Sequence, residues 1–153
     1  MSLRARLSED MKTAMRAKQE AQLATIRLIL AALKDRDIAA RPKGIANGIP
    51  DDEIMQMMNG MIKQRRDSIA LYQQGNRPEL AAKEQAEIEI IQGYLPQQMS
   101  AEEVTAAVKA VIADVGAASV KDMGKVMGAL KERYTGKMDF ASVSGVVKQQ
   151  LSG

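Results

Sequence analysis

Two groups of residues have types and spacing that suit chemistry. The first is a pair of carboxylates, Glu84 and Glu87, three positions apart in an apolar-periodic segment. Side chains three apart are neighbours on a helix, so these two stand one turn from each other. Such a pair can serve as general acid and base, or can ligate a divalent cation. The same sequence supplies cations to meet them: Lys63, Arg65 and Arg66 in the preceding segment, and Arg27 and Lys34 further upstream. With a cation for each carboxylate, and fewer oxygen ligands than a hard metal takes, an interhelical ion-pair network is the preferred reading. Arg27, Lys63, Arg65, Arg66, Glu84 and Glu87 are therefore expected in structural pairs, with no metal site and no catalytic residue.

The second group is cationic. Between Ser119 and Met138 stand five basic residues, Lys121, Lys125, Lys131, Arg133 and Lys137, against two acidic ones, Asp122 and Glu132. That local excess equals the whole chain's net charge of +3. Basic side chains on one short helix can contact phosphates, giving salt-dependent affinity with little base specificity. Gly124 and Gly128 fall one turn apart among them and expose backbone. That spacing suits close approach of a neighbouring helix ahead of a ligand.

Much chemistry is excluded by what is missing. The chain has no Cys and no His, so disulfides, thiolate nucleophiles, the commonest metal ligand and the usual neutral-pH base are all absent. No cofactor is expected. No apolar run approaches the ~20 residues of a membrane span. The N-terminal segment carries Glu9 and Asp10 and lacks an apolar leader, so it reads as neither signal nor transit peptide, and a cytoplasmic location follows as the default.

The elements that must hold these residues are helical. Aromatic residues make up only 3% of the 153, and the core must come from Leu, Ile, Val, Met and Ala. Eleven Met and many Ala favour helices. Leu3, Leu7, Met11 and Met15 recur at a spacing of four and predict a first helix over 3–17, with Arg4, Arg6, Lys12 and Arg16 as solvated charge off the stripe. Leu23, Ile26, Ile29, Leu30 and Leu33 predict a second over 20–39. Arg27 and Lys34, seven apart, fall beside that stripe, either snorkelling past the core or meeting carboxylates on a neighbour. Residues 40–50 hold two Pro and two Gly and read as a long, mobile loop.

Asp51 is expected to cap a third helix running to about 74, whose Met-rich start is core. Gly75 should end it in the left-handed conformation, and Pro78 should open the fourth. The short connection makes the two antiparallel. Gly93-Tyr94-Leu95-Pro96 breaks the fourth helix, and Ser100 with Glu103 forms a capping box that opens a fifth. Ser119 with Asp122, and then Asp139, cap two more. The reading is an all-α chain, with an N-terminal antiparallel helical domain over 1–97 and a small three-helix C-terminal domain over 98–153.

Three stretches together carry a family resemblance: KQRRDSI at 63–69, GNRPELAAKEQAEIEIIQGYLPQQMS at 75–100, and MGKVMGALKERYTGKMDFASVSGVVKQQL at 123–151. They resemble the GatB/YqeY family collinearly over nearly the whole chain. The MGKVMG segment is similar to the tail of the GatB subunit of glutamine-dependent aminoacyl-tRNA amidotransferase. The resemblance implies a helical domain followed by a three-helix tail, and in the full enzyme that tail helps hold the tRNA. Phosphorylation and amide transfer belong to a catalytic domain that has no counterpart here, and the amidase Ser-Ser-Lys set and a phosphate-binding Gly-rich loop are also missing. The expected function is a non-catalytic accessory module that binds tRNA or a tRNA-handling protein through Lys121, Gly124, Lys125, Gly128, Lys131, Arg133 and Lys137. One alternative is a component of a glutamine-dependent carbon–nitrogen ligase, with Glu84 and Glu87 as its acid/base pair. A second is a protein-interaction module.

Overall fold

A computed structural model describes residues 2–152 and contains helices and turns only. The chain divides into two compact units, one ending at Leu95 and the other starting at Pro96.

In the first unit, α1 (Leu3–Arg16) starts from Ser2, whose hydroxyl accepts from the Ala5 N–H at 3.1 Å. Its inward face departs from the spacing-of-four stripe. Steps of four overshoot a 3.6-residue turn by about 40° each, so the stripe winds off the core. Leu7 is fully buried, Met15 is 49% exposed, and Ala14 takes the inward place. Helix α2 (Glu20–Ala40) buries Ile26, Ile29 and Leu33, then tightens into a 3₁₀ turn at Arg41–Lys43.

The segment after this turn is anchored, against the expectation of a mobile loop. Asp37 accepts from the Ile49 N–H at 2.9 Å, Arg4 donates to the Ile49 carbonyl at 3.2 Å, and the Ile49 side chain is buried.

Helices α3 (Asp51–Gln74) and α4 (Pro78–Gln92) form an antiparallel hairpin that packs Ile54, Met57, Met58 and Ile62 with Ile88 and Ile91. Met57 and Met58 are core residues. Two helix-end expectations change. Pro50 holds the N-cap position of α3, while Asp51 lies inside the first turn with its carboxylate accepting from the Leu3 N–H at 3.2 Å. At the other end Gly75 has φ of −83°, and Asn76 takes the left-handed conformation at φ +55°. The Arg77 N–H then reaches the Tyr72 carbonyl at 2.8 Å and the Asn76 N–H reaches Gln73 at 3.2 Å. This is a Schellman closure, which asparagine can complete because its short polar side chain tolerates positive φ.

In the second unit, α5 (Ala101–Val115) opens with the expected capping box, Ser100 and Glu103 each accepting from the other's backbone N–H. A 3₁₀ turn at Val120–Asp122 leads into α6 (Met123–Arg133), and α7 (Phe140–Ser152) closes the unit. Val108, Val111, Val126, Leu130, Phe140 and Val147 fill its core. Asp139 accepts from the Ser142 hydroxyl at 2.8 Å and from the Ala141 N–H at 3.2 Å, starting α7. The Met99 N–H donates to the Lys137 carbonyl at 2.9 Å, and Gln98 Nε2 donates to the Gly136 carbonyl at 2.6 Å. These bonds fasten the unit's first residues to the α6–α7 connection.

Candidate functional site

Helix α6 buries one side and displays the other. Val126 and Leu130 are fully buried, whereas Gly124, Lys125, Gly128 and Lys131 are all exposed. At about 100° per residue, Gly124, Gly128, Lys131 and Lys125 share an arc of roughly 120° opposite the core. Lys121 precedes this arc in the 3₁₀ turn, and Lys137 follows it in the connection to α7; both are exposed.

The glycines answer a question that sequence leaves open. A Cβ built at Gly124 or Gly128 meets no atom within 4 Å. Neither glycine admits a neighbouring helix within the unit, so each leaves a stretch of helical backbone uncovered beside lysines. Gly60 and Gly145 are open too, but each has a single lysine nearby on its helix, Lys63 or Lys148.

Not every charge in the segment is free to meet an anion. Arg133 lies about 180° from Gly124 around α6, and its Nη1 donates to Asp114 Oδ2 of α5 at 2.8 Å. That hydrogen bond raises the Arg133 pKa, so the guanidinium stays charged but engaged. Asp122 accepts from the Ala118 and Ser119 N–H groups at 2.8 and 3.4 Å. These bonds, with the Lys125 charge, hold its carboxyl below the usual range, so it remains ionised next to the lysines. Glu132 also falls within the exposed arc. The face is a positive patch with two acidic interruptions.

The carboxylate pair lies in the first unit. Arg65 Nε sits 2.8 Å from Glu87 and 3.9 Å from Glu84, and Arg65 Nη1 donates to the Met61 carbonyl at 3.2 Å. The three charged side chains are largely covered, with 12%, 16% and 22% of Arg65, Glu87 and Glu84 exposed. The arginine bridges α3 to α4 and meets both carboxylates, beside a cleft of about 220 Å³ that Gln64, Arg65, Ser68 and Glu84 line. Arg27, Lys63 and Arg66 are exposed and form no ion pair among the described residues, so the structure does not bring them to Glu84 or Glu87.

Two constellations escape a reading of the sequence. Arg4 holds Asp37 through two hydrogen bonds of 2.6 and 3.0 Å, and that contact, with the Ile49 N–H, keeps the Asp37 pKa below its ordinary value. Arg6 lies 4.6 Å from the Tyr94 ring centroid and donates to the Gly93 carbonyl at 2.9 Å, while the Tyr94 hydroxyl donates to Asp10 at 2.6 Å. Burial and the Asp10 contact push the phenol pKa well up. Arg4 and Arg6 are therefore structural cations, not solvated charge. Their only sequence signal was a position flanking the apolar stripe, which Lys12 shares. Among the described residues no three metal-ligating side chains gather, and no helix is long and apolar enough to cross a membrane.

A model of the family described as Yqey-like protein matches residues 4–151. The chain belongs to the YqeY-like family. Among curated relatives it is similar to "Altered inheritance of mitochondria protein 41, mitochondrial" of Lachancea thermotolerans, 37% identical over 93 residues, which is 61% of this chain and 48% of the relative. The protein of that name from Saccharomyces cerevisiae is 37% identical over 91 residues, covering 60% and 47%. That of Vanderwaltozyma polyspora is 36% identical over 89 residues, covering 58% and 46%. The chain thus spans about half the length of the curated relatives that it matches. The cytoplasmic expectation does not stand, because these YqeY-like relatives are mitochondrial by name. Missing cysteines and a charged N-terminal segment are features of composition, and composition does not specify a compartment.

Proposed function

We propose that this YqeY-like chain is a non-catalytic accessory module that binds tRNA through the exposed face of α6. The observation that carries the reading is the pair of open glycines, Gly124 and Gly128, beside Lys125 and Lys131. Uncovered helix backbone next to cations lets a phosphate chain come close, and the contacts read charge and shape rather than base sequence. Lys121 and Lys137 extend the patch, and Arg133 supports α6 from its far side. The resemblance of MGKVMG to a tRNA-holding tail supports the choice of tRNA. Residues 98–153 are the separate domain that carries this face, following a first helical domain over 1–97.

The engagement of Arg65 by Glu84 and Glu87 supports the non-catalytic part of this reading. A gel-shift titration of the full chain with bulk tRNA at two salt concentrations tests the proposal. A complex at low salt that weakens at higher salt, and is weakened when Lys125 and Lys131 become Glu, is the expected result. No complex at low salt, or one indifferent to those substitutions, overturns it.

A further inference from the structure

A second cationic feature belongs to the first unit and plays no part in the RNA reading. Arg27, Lys34 and Arg41 recur at intervals of seven along α2. Arg41 caps the helix with φ −56° and ψ −46°, so it continues the helical path. Seven residues make almost two turns, so the three cations lie along one side, spaced about 10.5 Å apart. All three are exposed, and none forms an ion pair among the described residues. The nearest acidic residue around the helix, Asp37, is hydrogen-bonded to Arg4 and is also stabilised by the Arg41 charge, which leaves Arg27 and Lys34 as the cations farther from it. Beside this line opens a cleft of about 320 Å³ whose wall combines Leu30, Lys34, Ile38 and Arg41 with the Arg4–Asp37 pair. Ile38 is 47% exposed, an aliphatic surface left to water between two cations.

We propose that this face of α2 docks an acidic amphipathic helix of a partner protein. A cation every seventh residue matches a helix carrying carboxylates at the same interval, and the aliphatic surface of Ile38 and Leu30 between them accepts an aliphatic side chain from the same face. The match is therefore to alternating charge and hydrocarbon, which a phosphate chain does not offer. Pairing of α2 with the α2 of a second copy does not fit, because helices laid along their full length set cation against cation. Long-range attraction between the charges favours encounter and register, and the cleft supplies the apolar anchor.

The test uses the full chain and a designed helical peptide with Glu at every seventh position and Leu on the same face, followed by fluorescence anisotropy. The control peptide has the same composition with its glutamates distributed around the helix. The designed peptide should bind at least roughly tenfold more tightly than the control, equivalent to about 1.4 kcal/mol. Arg27→Glu with Lys34→Glu and Arg41→Glu should remove this binding, Lys34→Glu alone should weaken it, and Ile38→Ser should weaken it while leaving the salt dependence. Circular dichroism confirms that the variants remain folded. Equal binding of the two peptides overturns the proposal, as does a triple variant that still binds. A triple variant that loses tRNA while the unmodified chain ignores the designed peptide assigns the stripe to RNA and also overturns it.

Discussion

The Tyr94 hydroxyl donates to Asp10 Oδ2 at 2.6 Å, joining the segment that ends α4 to the middle of α1. Arg6 completes the contact, lying over the ring and reaching the Gly93 carbonyl. Tyr94 is 6% exposed, so its ring supplies apolar burial as well as a hydrogen bond. Tyr94→Phe should lose only the hydrogen bond and destabilise the chain by about 1 kcal/mol. Tyr94→Ala should cost about 3–5 kcal/mol by removing the ring. Urea denaturation of the two variants separates these contributions.

The bridge from Arg65 to α4 is unequal in its two arms. Glu87 meets Nε at 2.8 Å and Glu84 at 3.9 Å. Arg65→Ala leaves two poorly solvated carboxylates near each other and should destabilise by roughly 2–4 kcal/mol, somewhat less than a fully buried pair. Glu87→Ala should cost more than Glu84→Ala, which should cost about 1 kcal/mol or less. Equal losses at the two positions in denaturant titrations would contradict the geometry.

Asp37 makes stability depend on acid. Its hydrogen bonds to Arg4 depress its folded pKa below the unfolded value near 3.9. The stabilisation is therefore fully present above about pH 4 and is lost as pH falls through the lower folded value. Asp37→Asn should lower the melting temperature at neutral pH. The gap from the unmodified chain should close as the pH is taken into the acid range, as thermal melts across pH will show.

Much of this architecture was legible because helices announce themselves by period and by their ends. Ser100 with Glu103 and Pro78 act through contacts within a few residues, and local sequence suffices for them. Gly75 misled because a glycine beside an asparagine offers two candidates for one left-handed position, and the final hydrogen bonds chose Asn76. Arg4 and Arg6 were illegible for a different reason. Their partners, Asp37, Ile49, Gly93 and Tyr94, lie 33 to 88 positions away, and only the crossing of helices brings them together. At α6 the sequence located the cations and the glycines. It could not tell that Arg133 turns to Asp114, or that no neighbour comes near Gly124 and Gly128.

Packing and binding make opposite demands at Gly128. A methyl group at this position enters open space, and Ala exceeds Gly in helix propensity, so Gly128→Ala should stabilise α6 by about 0.5–1 kcal/mol. A leucine there should fold as well but hold a phosphate backbone away from the helix. The deciding measurement is the tRNA affinity of the unmodified chain, Gly128→Leu and Lys125→Glu with Lys131→Glu across a series of salt concentrations. The account predicts a steep fall of affinity with salt for the unmodified chain, a shallower slope for the lysine variant, and weaker binding by a folded Gly128→Leu. Undiminished tRNA binding by Gly128→Leu, with the same salt slope in all three proteins, would contradict it.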